Sequence, residues 1–232
     1  MQETEVDSGR VWRNIAIVTV LLVLLVGPSF GPVPIWLGQR LPIEGAVLAL
    51  LASFWIGFPI IIAVILRLSG MTLRELLSYV GLGAPSRPLA NIAGAVLGLA
   101  WGFLFLTSIF QFDPDANITQ ITGLRILAAL IAAGGALLED IITRGYLMNK
   151  MNEIQVPVWI QVVLPAVIFA FYHTIWGFNV FSFIFSVVYG LMLGGLYVWG
   201  KRSLTPVVLG HSLAVLISEP FSTMLIFLAA GM

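Results

Sequence analysis

The chain has 232 residues, of which 59% are hydrophobic and 9% are charged, with 11 basic and 11 acidic residues. This composition and a mean hydropathy of +1.04 exclude an ordinary water-soluble globular protein. The zero formal net charge gives no indication of a nucleic-acid partner, and the absence of cysteine excludes disulfides, thiolate metal ligands and a cysteine nucleophile. The lipid bilayer is therefore the expected solvent.

Apolar segments recur along the chain and predict an all-α, polytopic transmembrane helix bundle of about seven or eight spans. In the first half, the predicted spans are Asn14 to Trp36, Leu41 to Leu66 and Leu89 to Phe110. Between the last two, Thr72 to Glu75 has the spacing of a helix capping box. This predicts one short amphipathic helix, Leu73 to Val80, on the membrane surface.

The second half of the chain contains the remaining apolar segments. The predicted spans are Leu124 to Met148, Pro157 to Trp176, Phe178 to Trp199 and Leu204 to Ser218. Pro165 is expected to interrupt the second of these spans. A last apolar piece, Phe221 to Met232, fits either a further span or a re-entrant segment.

Basic residues are unevenly divided between alternate loops. If the N-terminus is cytoplasmic, only Arg40 and Arg125 lie outside. The cytoplasmic set is then Arg10, Arg13, Arg67, Arg74, Arg87, Lys150, Lys201 and Arg202. Because Lys and Arg are retained on the cytoplasmic side, we expect an integral protein of a prokaryotic cytoplasmic membrane with a cytoplasmic N-terminus.

Three ionisable residues fall inside the span Leu124 to Met148, where each is costly unless it has a partner or a water-filled cavity. Asp140 and Arg144 are four residues apart with the acid first, the favourable order for an ion pair on a helix. Glu139 is rotated from Asp140 by about 100°. We therefore expect Asp140 and Arg144 to neutralise each other, leaving Glu139 to face a cavity as a general base or acid.

The chain has two histidines, His173 and His211, and both fall in apolar spans. Neutral imidazoles can ligate a metal, stabilise an oxyanion or shuttle a proton. With Glu139 they form a plausible ligand set for a divalent metal such as zinc. Two other interpretations stay open from the residues alone: structural helix-to-helix contacts, and a proton-coupled carrier with Glu139 and the histidines as its relay.

These residues resemble the signature of the CPBP family, the CAAX prenyl protease and bacteriocin-processing membrane proteins also called the Abi family. The family motifs are Glu-Glu-x-x-x-Arg, Phe-x-x-x-His and His-x-x-x-Asn or Asp. The corresponding segments here are Glu139-Asp140-Ile-Ile-Thr-Arg144, Phe169-Ala-Phe-Tyr-His173 and His211-Ser-Leu-Ala-Val215. Asp140 keeps the charge of the second Glu, whereas Val215 lacks the amide or acid that could orient His211.

The resemblance implies an intramembrane endopeptidase acting on a membrane-associated peptide or protein. Glu139 would activate water, His173 and His211 would bind the oxyanion or a metal, and Asp140 and Arg144 would support Glu139. The alternative that follows from Val215 is a catalytically lapsed scaffold or a bacteriocin-immunity-like protein. Metal dependence and oligomeric state stay open.

We treat residues 1–232 as a single membrane domain. It consists of N-terminal spans with the surface helix (1–123), a CPBP-like catalytic core (124–218) and a C-terminal apolar segment (219–232). Counting along the predicted helices places Glu139 and His211 roughly 12 to 15 Å inside the membrane and His173 about 24 Å inside. On this count, His173 joins the site only if its span is tilted or broken near Pro165.

Overall fold

The computed structural model describes residues 7–177 and 179–229, and this part of the chain is helical and contains no strand. The α-helices are α1 (Ser8–Leu21), α2 (Pro32–Gly38), α3 (Ile43–Ser69), α4 (Leu73–Tyr79), α5 (Pro88–Ser108), α6 (Gly123–Asp140), α7 (Leu147–Glu153), α8 (Val158–Thr174), α9 (Val180–Trp199), α10 (Thr205–Ser218) and α11 (Phe221–Ala229). A π-helical turn, Ile141–Tyr146, joins α6 to α7. The predicted class, a polytopic helical bundle, is confirmed.

Five helical units among the described residues are long and apolar enough to cross a membrane: Ser8–Gly38, Ile43–Ser69, Pro88–Gln111, Gly123–Glu153 and Val180–Trp199. A sixth is formed if α10 and α11, which are bent by 71° relative to each other, count as one span. The seventh apolar helix, α8, is shorter. Each apolar segment predicted from the sequence thus contains a helix. The described part of the last piece forms α11, which is bent by 71° from α10.

A polar network holds one end of the bundle together. Arg202, which follows α9, donates to Asn149 of α7 at 3.0 Å, to Asn152 at 2.9 Å and to Gln161 of α8. The amide of Asn149 donates to the backbone carbonyl of Tyr79 at 2.6 Å, which attaches α4 to the same end. We call this end of the bundle the basic end, because Arg202 and Lys150 lie there.

The surface helix α4 has the cap predicted for it. The hydroxyl of Thr72 accepts from the Glu75 backbone N–H, and the Glu75 carboxylate accepts from the Thr72 backbone N–H at 2.7 Å. The hydrogen bonds that the Glu75 carboxylate accepts from the Thr72 backbone N–H and from the Thr72 hydroxyl lower the pKa of Glu75 below its usual value. The capping box therefore fixes where α4 begins.

Three glycines of α5 allow α10 to pack unusually close to it. A Cβ atom at Gly94, Gly98 or Gly102 would lie 2.2, 2.3 and 2.9 Å from backbone carbonyl oxygens of α10. Small residues at every fourth position let two helix backbones approach in a membrane. Since α10 carries His211, this glycine ridge positions the histidine.

Candidate active site

The acidic pair at the end of α6 and the arginine of the π-helical turn form one buried cluster. Arg144 Nη1 lies 3.0 Å from Asp140 Oδ1 and 3.9 Å from Glu139 Oε1. The same atom donates to Thr143 Oγ1 at 2.8 Å. The predicted pairing of Asp140 with Arg144 is therefore present, but Glu139 also lies near the guanidinium and is not free of it.

Asp140 has a second partner that the helical spacing did not reveal. Its Oδ2 lies 3.1 Å from Nδ1 of His211, and both side chains are buried. Because a carboxylate accepts hydrogen bonds, Nδ1 of His211 carries the hydrogen and Nε2 is directed elsewhere. Asp140 thus orients His211 as well as neutralising Arg144.

Tyr172 is a site residue that the sequence analysis did not single out. Its hydroxyl donates to Glu139 Oε1, and the side chain is completely buried. In the described residues no hydrogen bond is made to Glu139 Oε2, so this oxygen can accept one from a ligand or water. The only sequence signal was position, since Tyr172 directly precedes His173 inside the Phe-x-x-x-His motif.

His173 is held by its own helix and by aromatic rings. Its Nδ1 lies 2.8 Å from the carbonyl oxygen of Phe169, which can only accept, so Nδ1 is the donor and Nε2 is the free ring nitrogen. Phe30, Phe169 and Tyr172 contact the imidazole with ring centroids 4.1, 4.2 and 4.5 Å away. Phe169 also lies 4.4 Å from the Arg144 guanidinium, as a cation–π contact.

Glu139, His173 and His211 all line one cavity of about 1030 Å³. They come from α6, α8 and α10, so three separate helices contribute one side chain each. The aromatic part of the wall includes Phe30, Phe54, Phe58, Phe105, Phe112, Phe169 and Phe185. A large apolar cavity containing a few convergent polar groups is the usual form of a ligand or substrate site.

The depth mismatch predicted for His173 does not arise, because the predicted counting origin was wrong. The network around Arg202 places Asn149, Gln161 and Arg202 at one level of the bundle. From that level Glu139 and His173 lie ten and twelve residues along their helices, or ~15 and ~18 Å. Tyr172, next to His173, donates to Glu139, and Asp140, next to Glu139, contacts His211, so the three residues lie side by side. The predicted break at Pro165 is absent, since α8 is continuous through it.

Val215 lies on the wall of the same cavity, one helical turn after His211. It offers no hydrogen-bond donor, and two polar residues that also line the cavity, Asn179 and Ser218, already have hydrogen-bond partners. The Asn179 side-chain oxygen caps α9 by accepting from two backbone N–H groups, and the Ser218 hydroxyl donates to Ser222 at 3.1 Å. The departure from the His-x-x-x-Asn pattern is therefore uncompensated among these residues.

The metal interpretation finds no support in the geometry. Across residues 7–177 and 179–229, no three His, Asp or Glu side chains are placed to share an ion. We therefore derive no chemical step through a metal.

A known protein family matches the part of the chain that contains these helices. Residues 121–217 match the family described as Rce1-like, the Type II CAAX prenyl endopeptidase Rce1-like family. This match supports the resemblance of the segment to the CPBP family. The match includes α6 to α9 and nearly all of α10, and hence every side chain of the buried cluster. No curated protein and no solved structure matches the chain.

Within this matched segment the structure brings together all five residues selected from the sequence. Asp140 links Arg144 to His211 by direct contacts, and Glu139 lies beside Arg144. His173 joins them through Tyr172, whose ring contacts the imidazole and whose hydroxyl binds Glu139. The chain is thus an integral membrane protein in which residues 121–217 are similar to the Rce1-like family.

Proposed function

We propose that this protein is an intramembrane endopeptidase in which Glu139 activates water to cleave a peptide bond of a membrane-associated substrate. The observation that carries the proposal is the convergence of Glu139, His173 and His211 from three helices on one cavity of the CPBP-like core. The matched family is described as a prenyl endopeptidase, and we extend to this chain only the endopeptidase activity.

The hydrogen bonds support a distinct task for each side chain in the proposed reaction. Glu139 is fixed through Oε1 by Tyr172, so Oε2 is the oxygen available to take a proton from water. Nδ1–H of His211 donates to Asp140, and in the proposed reaction a protonated Nε2 of His211 donates to the oxyanion. Nε2 of neutral His173 is an acceptor and suits a substrate N–H or a water molecule.

Hydrolysis then proceeds in two proton transfers. The water oxygen forms a bond to the carbonyl carbon while Glu139 takes the water proton, and the oxyanion accepts a hydrogen bond from His211. The C–N bond then breaks as Glu139 returns the proton to the leaving nitrogen. The products are a carboxylic acid and an amine, and Glu139 regains its starting state.

The cavity opens at the end of the bundle opposite the basic end. Its exposed lining residues include Ile35 in α2, Phe112 after α5, Trp176 after α8 and Phe181 in the first turn of α9. With a cytoplasmic N-terminus, as the distribution of basic residues favours, this opening faces the non-cytoplasmic side. We propose that the substrate enters from there, which suits an exported or membrane-embedded peptide.

A library of membrane-associated peptides tests the activity. Purified protein in lipid bilayers is incubated with the library, and new termini are identified by mass spectrometry. We expect cleavage by wild type and at least a hundredfold less by Glu139→Ala and His173→Ala. Equal cleavage by all three proteins would contradict the proposal.

A second function, a non-catalytic scaffold of the same fold, is favoured by one observation. Val215 leaves His211 without the neighbouring amide or acid of the family motif. The scaffold predicts no cleavage by wild type or by Val215→Asn, with binding of a membrane partner retained.

A further inference from the structure

A second buried polar group lies in the cavity, apart from the cluster around Glu139. Glu219, at the break between α10 and α11, lines the cavity wall and is 5% exposed. Ser218, Ser222 and Thr223 line the wall beside it. The proposed hydrolysis uses none of these four residues.

The hydrogen bonds in this group all run toward the Glu219 carboxylate. Ser218 donates to Ser222 at 3.1 Å, and Ser222 donates to Glu219 Oε1 at 2.6 Å. The backbone N–H of Thr223 donates to Glu219 Oε2 at 3.2 Å. Each carboxylate oxygen has two acceptor positions, so both retain the capacity to bind another donor.

Glu219 has no positively charged partner within the described ranges 7–177 and 179–229. Arg125 of α6, a helix that packs against α10, binds other groups. It donates to the backbone carbonyls of Ile118, Gln120 and Ile217 and lies over the Phe221 ring at 5.5 Å. A buried carboxylate without a cation is costly in a membrane protein and indicates a partner or ligand.

A structural role accounts for only part of this arrangement. The contact with the Thr223 N–H caps the start of α11, but the neutral carbonyl of Gln or Asn would serve equally as acceptor. The cap does not explain the donation from Ser222 or the position of the carboxylate on the cavity wall. A positively charged ligand in the cavity explains why a carboxylate lies on the wall and why Ser222 holds it in place.

Glu219 directly follows α10, so its distance from the proposed site of cleavage can be counted along this helix from His211. Glu219 follows His211 by eight residues, or ~12 Å along a helix. An extended peptide covers this length in about three or four residues. We propose that Glu219 is a specificity-determining residue that binds a Lys or Arg side chain of the substrate, three or four residues from the bond cleaved at Glu139.

This inference rests on the proposed function for the cleavage position, but binding tests it without cleavage. Two labelled apolar peptides that differ only in one residue, Lys or uncharged norleucine, are titrated against wild-type protein in lipid nanodiscs. Fluorescence anisotropy reports the affinities. We expect the Lys peptide to bind at least tenfold more tightly, as for a hydrogen-bonded charge.

Three variants locate the source of the preference. Glu219→Gln keeps the cap of α11 and should bind both peptides equally, while Glu219→Asp keeps the charge and should retain much of the preference. Glu44→Gln is the matched control, because Glu44 is an exposed acid at the same end of the bundle outside the cavity. It should behave as wild type.

Equal affinities of the two peptides for wild type, or an unchanged preference in Glu219→Gln, would overturn the inference. Cleavage without a Lys preference would remove this inference and leave the proposed function intact. A Lys preference that depends on Glu219, without cleavage of any peptide, would support the binding site and contradict the endopeptidase.

Discussion

Tyr172 links His173 to Glu139, because its ring contacts the His173 imidazole and its hydroxyl donates to the Glu139 carboxylate. Tyr172→Phe keeps the ring and removes the hydrogen bond that fixes the proposed base. We expect kcat to fall by about 10- to 100-fold, as for loss of a hydrogen bond to a charged group, with KM little changed.

Tyr79→Phe is the control for this change. This substitution removes the 2.7 Å hydrogen bond from the Tyr79 hydroxyl to Glu153, which lies at the basic end, away from the cavity. The kcat of this variant should match that of wild type. A Tyr172→Phe enzyme with wild-type kcat would show that this hydroxyl does not position Glu139.

Val215 tests whether the departure from the family motif limits activity. Val215→Asn places an amide one turn from His211 on the cavity wall. A single oxyanion donor is worth roughly a hundredfold or more in other enzymes, so we expect kcat to rise about tenfold or more in the peptide assay. An unchanged kcat would show that the protein does not use a donor at this position.

At the scale of helices, the close contact of α5 with α10 determines where His211 lies. Gly98→Ala would put a Cβ atom 2.3 Å from the Leu209 carbonyl oxygen, so the two helices must separate. We expect a lower thermal unfolding temperature and reduced activity, because neither backbone can yield without moving α10. Unfolding in detergent and peptide cleavage measure the two effects.

Gly195→Ala is the matched control within a helix. A Cβ atom there meets no atom within 4 Å, and Ala is a better helix former than Gly by about 1 kcal/mol. The unfolding temperature should be unchanged or higher. Equal behaviour of the two variants would contradict the role assigned to the glycine ridge.

Much of the site follows from the sequence, since ionisable residues in apolar spans are rare and must meet a partner. Helical periodicity identified the contact of Asp140 with Arg144, and the motif spacing placed His173 and His211 with them. Periodicity did not identify the π-helical turn Ile141–Tyr146, which changes the register after Asp140. The contacts of Asp140 with His211 and of Glu139 with Tyr172 join different helices, so spacing along one helix does not determine them.

The depth of His173 in the bundle could not be predicted from the sequence either, because it also depends on contacts between different helices. Its depth depends on Gln161 being held by Arg202, a contact between residues 41 positions apart in the sequence. The bend of 71° between α10 and α11, which places Glu219 on the cavity wall, was also not specified by hydropathy. Both features depend on how helices pack.

For the whole molecule, the side on which the cavity opens is a separate prediction. The chain has no cysteine, so a single introduced cysteine reports its own position. Phe112→Cys, at the cavity opening, should react with a membrane-impermeant maleimide in intact cells, and Lys201→Cys, at the basic end, should react only after permeabilisation. The reverse labelling pattern would contradict the proposed orientation.

The proposed hydrolysis depends on the Glu139 carboxylate in the CPBP-like core, and one measurement tests it most directly. Single-turnover cleavage of a peptide selected from the library is timed in lipid bilayers for wild type, Glu139→Gln and Glu44→Gln. We predict that Glu139→Gln slows cleavage by about 10²- to 10⁴-fold, the range for loss of a general base, while Glu44→Gln cleaves at the wild-type rate. A Glu139→Gln protein that folds, binds the peptide and cleaves it at the wild-type rate would contradict the account.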